Sequence, residues 1–220
     1  MLTFVRARLG GLPLIVGGLA GAAVVAIHPE ALTDPRMAPT HLVLFFAVLA
    51  VLLGLPTLAY RQPSILTSAG CIALAGGLVF DDLLHSVLYF TIVPIFNSDP
   101  TTRAWLADDS WVATALMNGP FGFIQGVAPV LALLGLVLLS AATLRGRILP
   151  RWPAVMHVIA AVALPAGIAL PMPAPIGPAL LYLGLAAYGG VLVLSQASTV
   201  QRPVARGSAA ASAQPAWSAD

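Results

Sequence analysis

The continuity of its apolar runs constrains this chain most. HLVLFFAVLAVLLGLPTLAY, residues 41–60, passes without an Asp, Glu, Lys or Arg. A helix needs about 20 such residues to cross ~30 Å of hydrocarbon. A membrane strand would alternate apolar and polar residues instead. Inside lipid each backbone N–H and C=O must be paired within the segment, which selects a helix. Comparable runs lie at roughly 11–27, 65–96, 110 or 119 to 144, 153–171 and 176–195. The sequence therefore predicts an all-α, polytopic membrane protein with six transmembrane helices.

Charge supports that reading. Only 8% of residues are charged and 59% are hydrophobic, against about 25% charged in a soluble domain. Such a chain cannot cover a water-facing surface with polar groups. All ten basic residues are arginines, and they flank the apolar runs. Their placement sets orientation and gives no reason to expect nucleic acid. With the N-terminus inside, Arg6, Arg8, Arg61, Arg145, Arg147, Arg151, Arg202 and Arg206 lie inside, and Arg36 and Arg103 outside. The expected topology is N-in/C-in, with the lipid bilayer as first partner. Arg6 and Arg8 before an apolar run also resemble a signal peptide, but no small-x-small cleavage site comes after it.

The expected organisation is a six-helix transmembrane domain, 1–195, and a disordered cytoplasmic tail, 196–220. The tail is rich in Ala, Ser, Gln and Pro and lacks large apolar residues to bury. Gly17 and Gly21 share a face of the first helix, as Gly70, Ala73 and Gly77 do on the third. Such faces let helices approach closely, inside one bundle or against a second copy. A membrane-protein partner or homo-oligomer stays open on this ground. Pro120, Pro129 and Pro165 are expected to start or kink helices. The lone Cys71 reads as a buried thiol.

One segment breaks the apolar pattern. In GGLVFDDLLHSVLYFTIVPIF, residues 76–96, two aspartates and a histidine interrupt the third run. About 16 residues, or ~24 Å of helix, separate Ile65 from Asp81. That depth puts the interruption near the outer boundary of the hydrocarbon. Asp81 and His85 are four apart, so they share a face and can pair. Asp82 points about 100° away. His28, His41, Asn118 and Gln125 fall at the same level, the last two on one face of the fourth helix. The candidate ligand-binding set is His28, His41, Asp81, Asp82, His85, Asn118 and Gln125. Its alternative is an interfacial ion pair with interhelical hydrogen bonds. The run continues apolar past His85, which predicts a helix that outlasts the boundary and forms a hairpin with the fourth. Asp109–Ser110 would begin the second arm.

Chemical signatures are sparse. No HxxxH or HExxH pair is present, so no metal site is expected. His157 has no histidine at its level to share a haem, and no cofactor is expected. Neither G-x-S-x-G nor a phosphate-binding glycine loop occurs, so whether the chain is an enzyme stays open and leans to no, with an intramembrane enzyme ranked last.

The strings HLVLFFAVLAVLLGLPTLAYRQ and VLALLGLVLLSAATLRGRILPRW carry a resemblance. They resemble those of a bacterial six-helix integral membrane protein family of unknown function. The matching residues are His41, Gly54 to Gln62, and Leu133 to Trp152, and the likeness covers roughly 41–195. It implies a multi-pass protein of the bacterial inner membrane and carries no activity. Where this chain has Asp81–Asp82, the family more often has a single acidic or aromatic residue, so no role transfers there. Two functions are expected on these grounds. The first is a non-enzymatic structural or regulatory membrane component. The alternative is a small transporter or ligand- or ion-binding protein with an outward-facing Asp/His pocket.

Overall fold

The structure, a computed structural model, describes residues 2–107, 118–169 and 176–200. Helices α1 (Leu2–Ala26), α2 (Met37–Arg61), α3 (Ile65–Leu78) and α4 (Leu84–Asn97) come first. They are succeeded by α5 (Pro100–Ala107), α6 (Pro120–Arg145), α7 (Trp152–Ala169) and α8 (Ile176–Val200). No strand occurs among the described residues. Among the described residues, four helices are long and apolar enough to cross a membrane: Met37–Arg61, Ile65–Asn97, Gly122–Arg145 and Ile176–Leu194. Two further apolar helices, Gly10–Ala26 and Trp152–Ala166, are shorter. The last helix runs to Val200, so 196–200, expected in the tail, are helical. Residues 201–220 and the Asp109–Ser110 cap lie outside the described residues.

Local chemistry sets the boundaries. Pro63 comes just after α2 and disfavours helix before it. Ser64 then caps α3, its Oγ accepting the Thr67 N–H at 3.0 Å. Pro120 opens α6 at its first turn, where a missing N–H is harmless. Pro129 and Pro165 sit inside α6 and α7. Asp99 accepts the Thr101 and Thr102 N–H groups and starts α5.

The helices close into a ring. In order around it, α1 packs on α2, α2 on α3 and α4, α3 on α6, α6 on α7, α7 on α8, and α8 back on α1. Leu14, Val48, Val51, Leu74, Leu136 and Leu185 fill the middle with no exposed surface. Leu53, Ile72, Phe123 and Leu194 face outward, the side that meets lipid. Because lipid is as apolar as leucine, close packing holds such helices together, and small residues permit it. Gly17 lies against the Ala47 carbonyl of α2, while Gly18 lies against Tyr182 and Ala186 of α8. Gly77 meets Ala132 of α6, where a Cβ would come within 2.6 Å of its backbone nitrogen. These small-residue faces are occupied within the one chain. Cys71 is buried, its thiol 3.6 Å from the Leu55 carbonyl.

Between α3 and α4 the helix does not stop. It widens into a π turn at Val79–Leu83, where the Leu84 N–H reaches the Val79 carbonyl five residues back. The composite helix Ile65–Asn97 spans 33 residues, about 50 Å, well beyond a hydrocarbon core. Its far end packs in a small separate cluster of Met37, Val93 and Leu106. Here α5 folds back, and Thr102 Oγ1 donates to the Phe96 carbonyl at 2.6 Å. One arm of the expected hairpin is therefore present as helix. The end of the bundle carrying the α1–α2 loop is the His28 end, and the opposite one the Arg61 end.

Candidate functional site

The π turn positions the acidic pair. Adding a residue to one turn offsets the rest of the helix, and here it separates two carboxylates that neighbour each other in sequence. Asp81 turns along its own helix, its Oδ1 3.4 Å from His85 Nδ1. Both side chains keep solvent contact, 41% for Asp81 and 28% for His85. Asp82 turns inward, and the Tyr182 hydroxyl of α8 donates to its Oδ2 at 2.7 Å. Tyr182 is itself buried, packed against Gly21 of α1.

The histidines meet across helices. His41 is buried at the start of α2, and its Nδ1 lies 2.9 Å from the Met37 carbonyl. A carbonyl only accepts, so that nitrogen carries the proton and Nε2 of the neutral ring is an acceptor. His28 Nε2 lies 3.3 Å from it. The two rings meet edge to face with centroids 4.9 Å apart. On its other side His41 stacks on Tyr89, at 4.5 Å and 12°. Tyr89 in turn meets the edge of His85 at 5.5 Å. His28 lies beyond the end of α1. Partial loss of water moves its pKa below the ordinary imidazole value, despite a bond involving the Pro29 backbone that favours the charged form.

His28, His41, Asp82, His85 and Tyr89 line one cavity of about 230 Å³. Asp82 and Pro178 also line a second cavity, of about 400 Å³. Asp82 thus stands in the wall between a histidine-lined space and a mainly apolar one. Asp81 lines the second cavity only.

The remaining candidates are Asn118 and Gln125. Asn118 is exposed in the turn before α6, so it shares no helix face with Gln125. The Gln125 side chain lies outside the described residues. Tyr182 and Tyr89 complete the cluster and were not among the candidates. Tyr89 carried a signal, since Asp81, His85 and Tyr89 recur every four residues. Tyr182 carried none, being 100 residues from its partner. Among the described residues, no group of three or more His, Cys, Asp or Glu is placed to hold a metal ion.

A second polar set lies toward the Arg61 end. Tyr188 and Thr143 hydroxyls are 2.8 Å apart, and Thr143 Oγ1 also donates to Gln62 Oε1 at 3.4 Å. His157 is fully buried, its ring 5.1 Å from that of Tyr188. Neither His157 nitrogen reaches a partner at ordinary hydrogen-bond geometry; the Leu181 backbone is the polar group it faces. Gly184 makes room for this ring, because a Cβ there would overlap it.

No protein family, curated protein or solved structure matches this chain.

Proposed function

We propose that this chain is a small ligand-binding membrane protein, a binding protein or transporter, whose site is centred on Asp82 and His41. The observation that carries the reading is convergence: His28 of the α1–α2 loop, His41 of α2, and Asp82 and His85 of the long helix Ile65–Asn97 line one cavity. A structural or regulatory component would not need that. Interfacial polar residues with no ligand would reach for water separately, at lower cost than facing a shared space.

The proposal includes six spans, with both termini on the cytoplasmic side of a bacterial inner membrane. Two facts support it. The short apolar helices Gly10–Ala26 and Trp152–Ala166 are full members of the ring. Arg61, Arg145, Arg147 and Arg151 gather at one end, and Arg36 and Arg103 at the other, the asymmetry that fixes orientation. The ligand site then faces outward.

The test is thermal unfolding of the purified chain in detergent, beside Asp82→Asn and His41→Ala. Zinc, inorganic phosphate and phenethylamine serve as probes of three ligand chemistries. A midpoint raised by one of them in the wild type and by much less in both variants supports the reading. No response to any probe overturns it and leaves a membrane scaffold.

A further inference from the structure

We infer that the larger cavity beyond Asp82 takes an organic ammonium ion with an apolar body. Asp82 lines both cavities, so the inference extends the site proposed above from the histidine-lined space into its larger neighbour, and it rests on that reading. The cavity lies between α3, α6, α7 and α8, with Gly77, Val130, Leu133, Leu164 and Leu181 among its walls. Asp81, Asp82 and Tyr182 make its polar end. Its volume of about 400 Å³ is within the range of small-molecule pockets, which are mostly apolar with a few placed polar groups.

Charge selects the ligand. Two adjacent carboxylates repel each other, and no arginine lines either cavity among the described residues. His85 reaches Asp81, whereas Asp82 is held by a neutral phenol. That phenol fixes the direction of the carboxyl group and brings no positive charge to it. An anion would be repelled here. A neutral apolar molecule would fill the walls and leave the charge unanswered. A compact metal ion would need more ligands than the cluster gathers. An ammonium group answers the charge, and its hydrocarbon body covers the apolar walls.

Three probes share one body and differ in the head: phenethylamine, 2-phenylethanol and phenylacetate. Binding of each to the full chain in detergent is measured by calorimetry at neutral pH. The amine is expected to bind, and the alcohol and acid at least about tenfold more weakly, the worth of a charge-assisted contact. Asp82→Asn is expected to weaken the amine by about the same factor. Val130 lines the apolar space and is itself 63% exposed, so Val130→Trp alters the cavity wall without overpacking the core and tests the cavity in a folded chain even if Asp82→Asn does not fold. It is expected to weaken the amine at least about tenfold. Equal binding of alcohol and amine, or an amine affinity untouched by Val130→Trp, overturns the inference. If zinc or phosphate acts through Asp82 and His41 while the amine does not, the ligand class is wrong and the binding site stands. If nothing binds, both fall.

Discussion

The two ends of the bundle hold similar side chains in opposite circumstances. Each has a histidine against a tyrosine: His157 with Tyr188 toward the Arg61 end, His41 with Tyr89 at the His28 end. Toward the Arg61 end the polar groups are sealed. His157 and Tyr188 have no exposed surface, and Thr143 and Gln62 have almost none. That set contains no carboxylate. At the His28 end Asp81 and His85 keep contact with solvent, and cavities lie on both sides of Asp82. Imidazole and phenol alone therefore say little about function in a membrane bundle. Room and charge distinguish a site from a packed polar knot.

Four single substitutions and one double variant, read by chemical unfolding in detergent, break or sharpen this contrast. Gly184→Ala should cost the most. Its new methyl overlaps a His157 ring that is walled in, and overpacking of this kind costs about 1–3 kcal/mol. Adding His157→Ala should return most of that loss; if it does not, the ring is not what confines the glycine. Tyr188→Phe should come next, at about 1 kcal/mol, since it removes the hydroxyl that meets Thr143 in a buried setting. A loss near zero would show that the knot is not tightly sealed.

Asp81→Asn should cost about 0.5 kcal/mol or less, because its pair with His85 is partly in water. A loss as large as that of Tyr188→Phe would erase the difference between the ends. The smallest effect is on pH dependence. His28 has its pKa lowered below 6.5 by loss of water. The fold thus favours the neutral ring, and its contribution is present above pH 6.5. That contribution fades as pH falls from 6.5 through the lower, folded value. His28→Gln should flatten this acid limb of a stability–pH profile and leave the neutral limb in place. An unchanged acid limb would assign the proton uptake to another group.

The helical class was legible because continuous apolar runs admit little else. So was the Asp81–His85 pair, which helix periodicity alone puts on one face. Helix packing was not legible. That Gly18 and Gly21 both meet Tyr182 of α8 depends on ring closure, which a pattern within one segment does not encode. The Asp82–Tyr182 bond was hidden for the same reason. Asn118 was misplaced because Pro120 begins α6, leaving Asn118 in the turn where helical spacing does not apply.

The wide turn at Val79–Leu83 has a further consequence. It acts as a phase shift between two halves of one long rod. Removing a single residue there, whatever its identity, would restore ordinary winding and rotate everything beyond it by about 100°. His85 and Tyr89 would swing away from His41 together, with each side chain chemically intact. At this point of the chain, the number of residues matters as much as which residues they are.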